Sequence, residues 1–282
     1  MVKHWISCCL FFLAFPAASA EETVLVPVTL DNQPVKLEFI IHKPKQALSP
    51  LPTVVLNHGS TGYGRDPYLF TSKVNYFEAL VDYFLAKNWA VVIPMRRGRG
   101  RSEGMYDEGF SEDREQGYTC NQDLSLAGAE RALSDIDAAI DVIRAMPFVD
   151  AQHVVIGGIS RGGILSIAYA GRHPEKVKGV LNFVGGWISE NCYSAETING
   201  SLSRMGAKYT APSLWLYGRN DSFYSLGHSR QNYDAFLSAG GQGSFKAFDL
   251  GSVNGHLLGD YPDKWQETLD SYLIDNKLII GK

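Results

Sequence analysis

The chain has 282 residues, of which 45% are hydrophobic, 12% aromatic and 20% charged. That is enough for one large domain with a sizeable core, and the composition excludes a disordered chain. Lys and Arg number 26 against 30 Asp and Glu, a net charge of -4, so no basic excess points to nucleic acid and no charge run points to a tail.

The first residues read as a leader. Lys3 and His4 precede an apolar run, residues 5–15, that Pro16 breaks; Ala18-Ser19-Ala20 then offers a small-residue cleavage site. The run is too short to span a bilayer. Residues 1–20 are expected to be a signal peptide, with an uncleaved anchor as the alternative. Residues 21–282 are expected to form a single domain, periplasmic or secreted, with no stable membrane insertion. Cys8 and Cys9 leave with the leader. Cys120 and Cys192 remain, an even pair in an oxidising compartment, and are expected to form a disulfide rather than stay as two buried thiols.

Residues 23–30 and 35–42 read as two strands around the turn-like Asp31-Asn32-Gln33, hence a hairpin. Residues 52–57 form a short apolar run that suits a buried strand. Residues 74–87 have helical spacing, with Phe77, Leu80, Val81, Phe84 and Leu85 on one face. A strand over 90–95 follows. Residues 133–146 read as an amphipathic helix, 153–156 as a strand, and 160–171 as a helix rich in small residues. Strands over 177–184, 213–217 and 244–248, a helix around 233–237 and a closing helix over 262–278 complete the pattern. Strand and helix alternate from residue 52 onward, which predicts an α/β fold: a mostly parallel central sheet with helices on both faces and an N-terminal antiparallel hairpin. Residues 98–123 and 185–211 show no clear element. Each holds one of the two remaining cysteines, so a disulfide between them would brace the mouth of a site at the carboxyl edge of the sheet.

A serine hydroxyl is a poor nucleophile unless a His, held by a carboxylate, lies within hydrogen-bond reach. G-x-S-x-G on a sharp strand-to-helix turn presents such a serine. The pattern occurs twice. Gly158-Ile159-Ser160-Arg161-Gly162 has a strand before it and a helix after it. Gly100-Arg101-Ser102-Glu103-Gly104 has neither beside it, so Ser102 is read as a loop hydroxyl and Ser160 as the nucleophile. Its partners should follow in the order carboxylate, then His. His256, in a loop between the last strand and the last helix, is the expected base, ahead of His228 and of His173 at a helix end. Asp221, after the strand over 213–217, is the expected carboxylate, ahead of Asp249. An oxyanion needs backbone N–H donors, assigned here to Arg161 and to Ser60 in His58-Gly59-Ser60-Thr61-Gly62. Tyr63 and Trp187, with Tyr68 and Phe70, are candidate pocket walls. The Gly- and Arg-rich stretch over 98–104 lacks the G-K-[ST] ending of a phosphate-binding loop, and no Cys/His spacing fits zinc, so neither a cofactor nor a metal is expected.

Taken together, His58-Gly59-Ser60, the Arg97-Gly98-Arg99-Gly100-Arg101-Ser102 loop, the elbow at Ser160, Asp221 and His256 resemble the α/β-hydrolase superfamily over roughly residues 25–280. They look most like its dienelactone hydrolase-like branch, which is similar to the catalytic domain of prolyl-oligopeptidase-type enzymes. Dienelactone hydrolases look to use a Cys nucleophile where this chain has Ser160. Roughly 30 residues before the first core strand are too few for a propeller domain. The resemblance implies a serine hydrolase cleaving a small-molecule ester through an acyl-enzyme. A peptidase or amidase acting on short peptides with the same triad is the second reading, and a non-catalytic binding protein on this scaffold is the third.

Overall fold

The computed structural model describes residues 19–45 and 50–279. The expected leader falls almost wholly outside them; Ser19 and Ala20 are described, and pair with Pro44 and Lys43 at the start of the first strand. Among the described residues no helix is long and apolar enough to cross a membrane.

Strands β1 (Ser19–Leu30) and β2 (Gln33–Pro44) form the antiparallel hairpin. Asp31 and Asn32 turn it with φ of 51° and 61°. Two successive positive φ values match the right-handed twist of the flanking strands, and short polar side chains tolerate them best. Six more strands follow: β3 (Leu51–Asn57), β4 (Ala90–Pro94), β5 (Val149–Ile159), β6 (Gly179–Phe183), β7 (Ser213–Gly218) and β8 (Gly243–Phe248). The sheet order is β1-β2-β4-β3-β5-β6-β7-β8. β2 joins β4 antiparallel, and every pairing from β4 to β8 is parallel. β4, β6 and β7 are buried at every position, as their predominantly apolar runs require for a sheet covered on both faces.

The helices are α1 (Tyr68–Thr71), α2 (Glu78–Ala86), α3 (Gln122–Arg144), α4 (Arg161–Arg172), α5 (Ala195–Gly206), α6 (Leu226–Ser238) and α7 (Pro262–Asp275). α4 is buried along its whole length except Arg172. This explains its small residues: Gly, Ala and Ser let the sheet and neighbouring helices close in on all sides.

Among the departures from the sequence expectation, two bear on the site. α3 starts at Gln122, not at residue 133: Asn121 caps it by accepting from the Leu124 N–H at 3.0 Å. Its first turns bury Ser125, Gly128 and Ala129 rather than large apolar residues, so periodicity gives no signal there. α5 lies inside the stretch expected to be irregular. Its buried face mixes Ile198 and Leu202 with Asn199, Gly200 and Ser203, and that mixture hides a helical stripe.

Candidate active site

β5 ends at Ile159 and α4 begins at Arg161, which leaves Ser160 alone in the turn with φ 57° and ψ −123°. A non-glycine residue rarely adopts this conformation. It is held from both sides: the Ser160 N–H donates to Phe183 O (2.9 Å), and its carbonyl accepts from Gly163 N (3.0 Å) and Gly186 N (3.2 Å). The flanking glycines are steric requirements. A Cβ on Gly162 would lie 1.8 Å from Asn57 O, and one on Gly158 2.5 Å from the same atom. The end of β3 passes that close to the elbow.

Asp221 lies three residues past β7. Its Oδ1 accepts the backbone N–H groups of Phe223 (2.7 Å) and Tyr224 (3.1 Å), which fixes the carboxylate and leaves Oδ2 for His256 Nδ1 at 2.8 Å. The Asp221 side chain is fully buried and that of His256 is 16% exposed. With its Nδ1–H donating to the carboxylate, His256 keeps Nε2 as the position that can accept a proton. The local turn is set by Asn254, whose Oδ1 accepts from His256 N (3.0 Å) and Ser222 N (3.1 Å), joining the Asp221 loop to the His256 loop.

Ser160 and His256 line one cavity of roughly 230 Å³, together with Gly59, Ser60, Tyr76 and Leu257. A second cavity of roughly 200 Å³ adjoins it, lined by Tyr63, Tyr118, Arg161, Trp187 and Tyr224. Ser60, Gly62 and Phe223 border both, so the two are lobes of one cleft. Tyr63 and Trp187 are thus brought to the cleft as expected. Tyr68 and Phe70 line neither lobe: Tyr68 is 75% exposed, and Phe70 packs on Tyr106 and Phe110.

The two expected oxyanion donors border the nucleophile. The Gly59 N–H is engaged by Tyr76 Oη (2.7 Å), whereas the Ser60 N–H has no hydrogen-bond partner among the described residues. Arg161 is the first residue of α4, where a backbone N–H has no partner within the helix.

The remaining candidates fall elsewhere. Ser102 accepts from Glu38 N (2.8 Å) and donates to Met95 O (2.6 Å), a loop brace as expected. Asp249 accepts from Gly251 N in a turn, and His228 lies 2.9 Å from Asn199 Nδ2. Cys120 and Cys192 form a disulfide with Cα atoms 5.5 Å apart, on the wall of the second lobe.

Sequence reasoning missed the residues that build this wall. The Arg161 guanidinium lies between the Tyr118 ring (3.6 Å) and the Trp187 ring (4.2 Å), and donates to Trp187 O (2.7 Å) and Glu108 O (2.8 Å). Asn199 Oδ1 accepts from Trp187 N (2.8 Å), and its Nδ2 donates to Ile188 O (2.9 Å). The only signal in the sequence was a pair of polar residues, Ser125 and Asn199, in segments that bury one face.

A strained serine elbow after β5 of a parallel sheet, with a His–Asp pair on the loops after β7 and β8, defines a class of architecture, and sequence comparison agrees with it. The alpha/beta hydrolase fold family matches residues 52–197, and the chain belongs to it. A probable inactive carboxylesterase of Oryza sativa subsp. japonica is 29% identical over 140 residues, 49% of this chain; the match spans about half, 54%, of that relative. Among solved structures, a putative dienelactone hydrolase from Klebsiella pneumoniae subsp. pneumoniae has a TM-score of 0.58 at 17% identity, over 90% of this chain and 98% of its own. Est1E from Butyrivibrio proteoclasticus with bound ferulic acid has 0.62 at 15%, over 89% and 98%. A cold-adapted esterase from an Arctic intertidal metagenomic library has 0.62 at 17%, over 93% and 95%. At these identities the likeness is one of fold.

Proposed function

We propose that the protein is an exported serine hydrolase that cleaves carboxylic esters through an acyl-enzyme. Ser160 Oγ adds to the ester carbonyl carbon and passes its proton to His256 Nε2. The carbonyl electron pair moves onto oxygen, where the Ser60 and Arg161 N–H groups receive it. Collapse expels the alcohol with the proton from His256, and water repeats the sequence to release the acid. Asp221 holds the imidazole in the tautomer and orientation this requires.

The observation that carries the reading is the His256–Asp221 contact of 2.8 Å on the wall of the cavity that Ser160 also lines. The leaving alcohol must be protonated by His256, so the lobe containing His256 takes the alcohol and the aromatic lobe around Trp187 takes the acyl group. A lobe of this size suits a short or single-ring acyl group, since an apolar cavity of about 150 Å³ accommodates benzene. The Cys120–Cys192 disulfide supports an oxidising, exported setting.

The test is hydrolysis of 4-nitrophenyl acetate, butyrate and benzoate by the wild type and by Ser160→Ala, with fluorophosphonate labelling in parallel. Turnover and labelling in the wild type, both lost in the variant, support the reading. Undiminished hydrolysis by Ser160→Ala overturns it.

A further inference from the structure

Behind the His58-Gly59-Ser60 loop, three guanidiniums surround one buried carboxylate. Arg96, Arg99 and Arg161 are each no more than 2% exposed, and Glu108 is 3% exposed. Arg96 pairs directly with Glu108, and Arg161 Nη1 reaches its Oε2 at 3.6 Å. Arg99 has no carboxylate partner among the described residues. Its donors go to backbone carbonyls instead, Nε to Phe70 O and Nη1 to Gly59 O, both at 3.2 Å; Nη1 also lies 3.2 Å from His58 Nδ1, and the guanidinium sits over the Tyr106 ring. Nearby, buried Arg97 is matched by Asp135, and buried Glu38 by Arg101. Three guanidiniums thus share one nearby carboxylate, and Arg99, which acts on Glu108 only from beyond ion-pair distance, is a costly buried cation to keep.

The reason lies in which peptide Arg99 grips. Gly59 O and Ser60 N–H belong to the same peptide unit. That carbonyl receives two donors, Arg99 Nη1 and His58 Nδ1, the latter at 2.9 Å. His58 Nε2 accepts from Arg96 N at 3.2 Å, so the imidazole proton sits on Nδ1. Burial, reinforced by Arg96 and Arg99, pushes the His58 pKa well below its ordinary value and keeps the ring neutral in this role. Donation into the carbonyl withdraws electron density from the peptide and strengthens its N–H as a donor. The preceding peptide is different: its carbonyl accepts from Arg96 Nη1 (3.0 Å), but its N–H is already given to Tyr76. Gly59 also borders the nucleophile, since a Cβ there would lie 3.3 Å from Ser160 Cβ.

We propose that Arg99 is a positioning residue for the oxyanion hole: through the Gly59 carbonyl it fixes and polarises the Gly59–Ser60 peptide, and its charge, not engaged in a direct ion pair, favours the negative oxygen formed when Ser160 adds to the ester. The role rests on the serine-hydrolase reading above. Arg99 acts through Ser60 and is not in either lobe. Its contribution belongs to the transition state, because the charge it answers exists only there.

The test compares the wild type with Arg99→Met, which removes donor and charge, and Arg99→Lys, which keeps the charge. For each, kcat and KM are measured on 4-nitrophenyl butyrate, along with inhibition by a short alkyl trifluoromethyl ketone and by the methyl ketone of the same length. Ser160 adds to the first to give an anionic adduct; the second binds as an uncharged ground-state mimic. Arg99→Met is expected to lower kcat about 10- to 100-fold with KM within about twofold. It should weaken the trifluoromethyl ketone by the same factor and leave the methyl ketone unchanged, with Arg99→Lys recovering part of both losses. A folded Arg99→Met with unchanged kcat, or with a loss confined to KM, overturns the proposal. If Arg99→Met does not fold, Arg99→Lys against Arg99→Gln decides: Lys should retain the higher kcat and the tighter trifluoromethyl ketone binding, and equality overturns the proposal. A Ser160→Ala enzyme that hydrolyses esters like the wild type sinks the underlying reading instead. An inactive Ser160→Ala beside unaffected Arg99 variants sinks only this one.

Discussion

The Trp187 indole N–H donates to Ser125 Oγ across 3.0 Å, tying the loop after β6 to the first turn of α3. Both partners are fully buried. This contact and the Asn199 bonds hold the floor of the lobe assigned to the acyl group.

Removing the hydroxyl leaves a buried N–H without an acceptor. Ser125→Ala should therefore cost about 1–3 kcal/mol, read as a lower midpoint in urea unfolding with unchanged slope. It should also change the ratio of benzoate to acetate turnover, because the tryptophan that shapes the lobe loses one anchor. A variant as stable and as selective as the wild type would show that Trp187 is held adequately by Asn199 and Arg161.

The roles proposed for Ser160, His256 and Asp221 predict strongly non-additive losses. Ser160→Ala and His256→Ala should each lower kcat by about 10⁶-fold, and Asp221→Asn by about 10⁴-fold, with KM little changed. Combining Ser160→Ala with His256→Ala should cost almost nothing beyond either alone. Steady-state kinetics on 4-nitrophenyl butyrate measures this; losses that multiplied would mean the side chains do not act as one unit.

The disulfide closes a span of 72 residues. Chain entropy assigns such a closure roughly 4 kcal/mol. Unfolding by urea with and without a thiol reductant, or of the Cys120→Ser, Cys192→Ser double variant, should show a loss of that order. An unchanged midpoint would mean the reduced chain keeps the two loops together by packing alone.

Buried His58 predicts a pH dependence of stability. Burial, then the charges of Arg96 and Arg99, depresses its folded pKa. The unfolded chain protonates this residue near the ordinary value of about 6.5, whereas the native state resists. The unfolded state then binds more protons, so stability is full above about pH 6.5 and declines as pH falls, by up to about 1.4 kcal/mol per pH unit for one group. His42 and His228 shift the same way through burial, so the readout is the difference between wild type and His58→Gln. The variant should show the shallower slope between pH 7 and pH 5; equal slopes would contradict the assignment.

The sheet was legible because its buried strands are short, mostly apolar runs, and the hairpin because Asp31-Asn32 can take two positive φ values. The elbow was legible because Gly158 and Gly162 are dictated by the passing β3 backbone, which separates Ser160 from the second pattern at Ser102. Asp221 and His256 could be placed because each follows a strand in the required order. What remained hidden was built from polar residues buried for local reasons. Ser125, Asn199 and the Arg161 side chain show no hydrophobic period, and their partners lie between 11 and 62 residues away. Arg99 was visible only as part of a basic run; that no acid pairs with it directly is a property of the folded interior.

The Cys120–Cys192 link joins the stretch just before α3 to the stretch just before α5, and those two helices supply Ser125 and Asn199, the supports of Trp187. The elbow and the His–Asp pair lie on other loops. Under the proposed function, the link therefore braces the lobe assigned to the acyl group and not the loops that carry Ser160, Asp221 and His256. Breaking it is then expected to blur discrimination among acyl groups more than it lowers turnover.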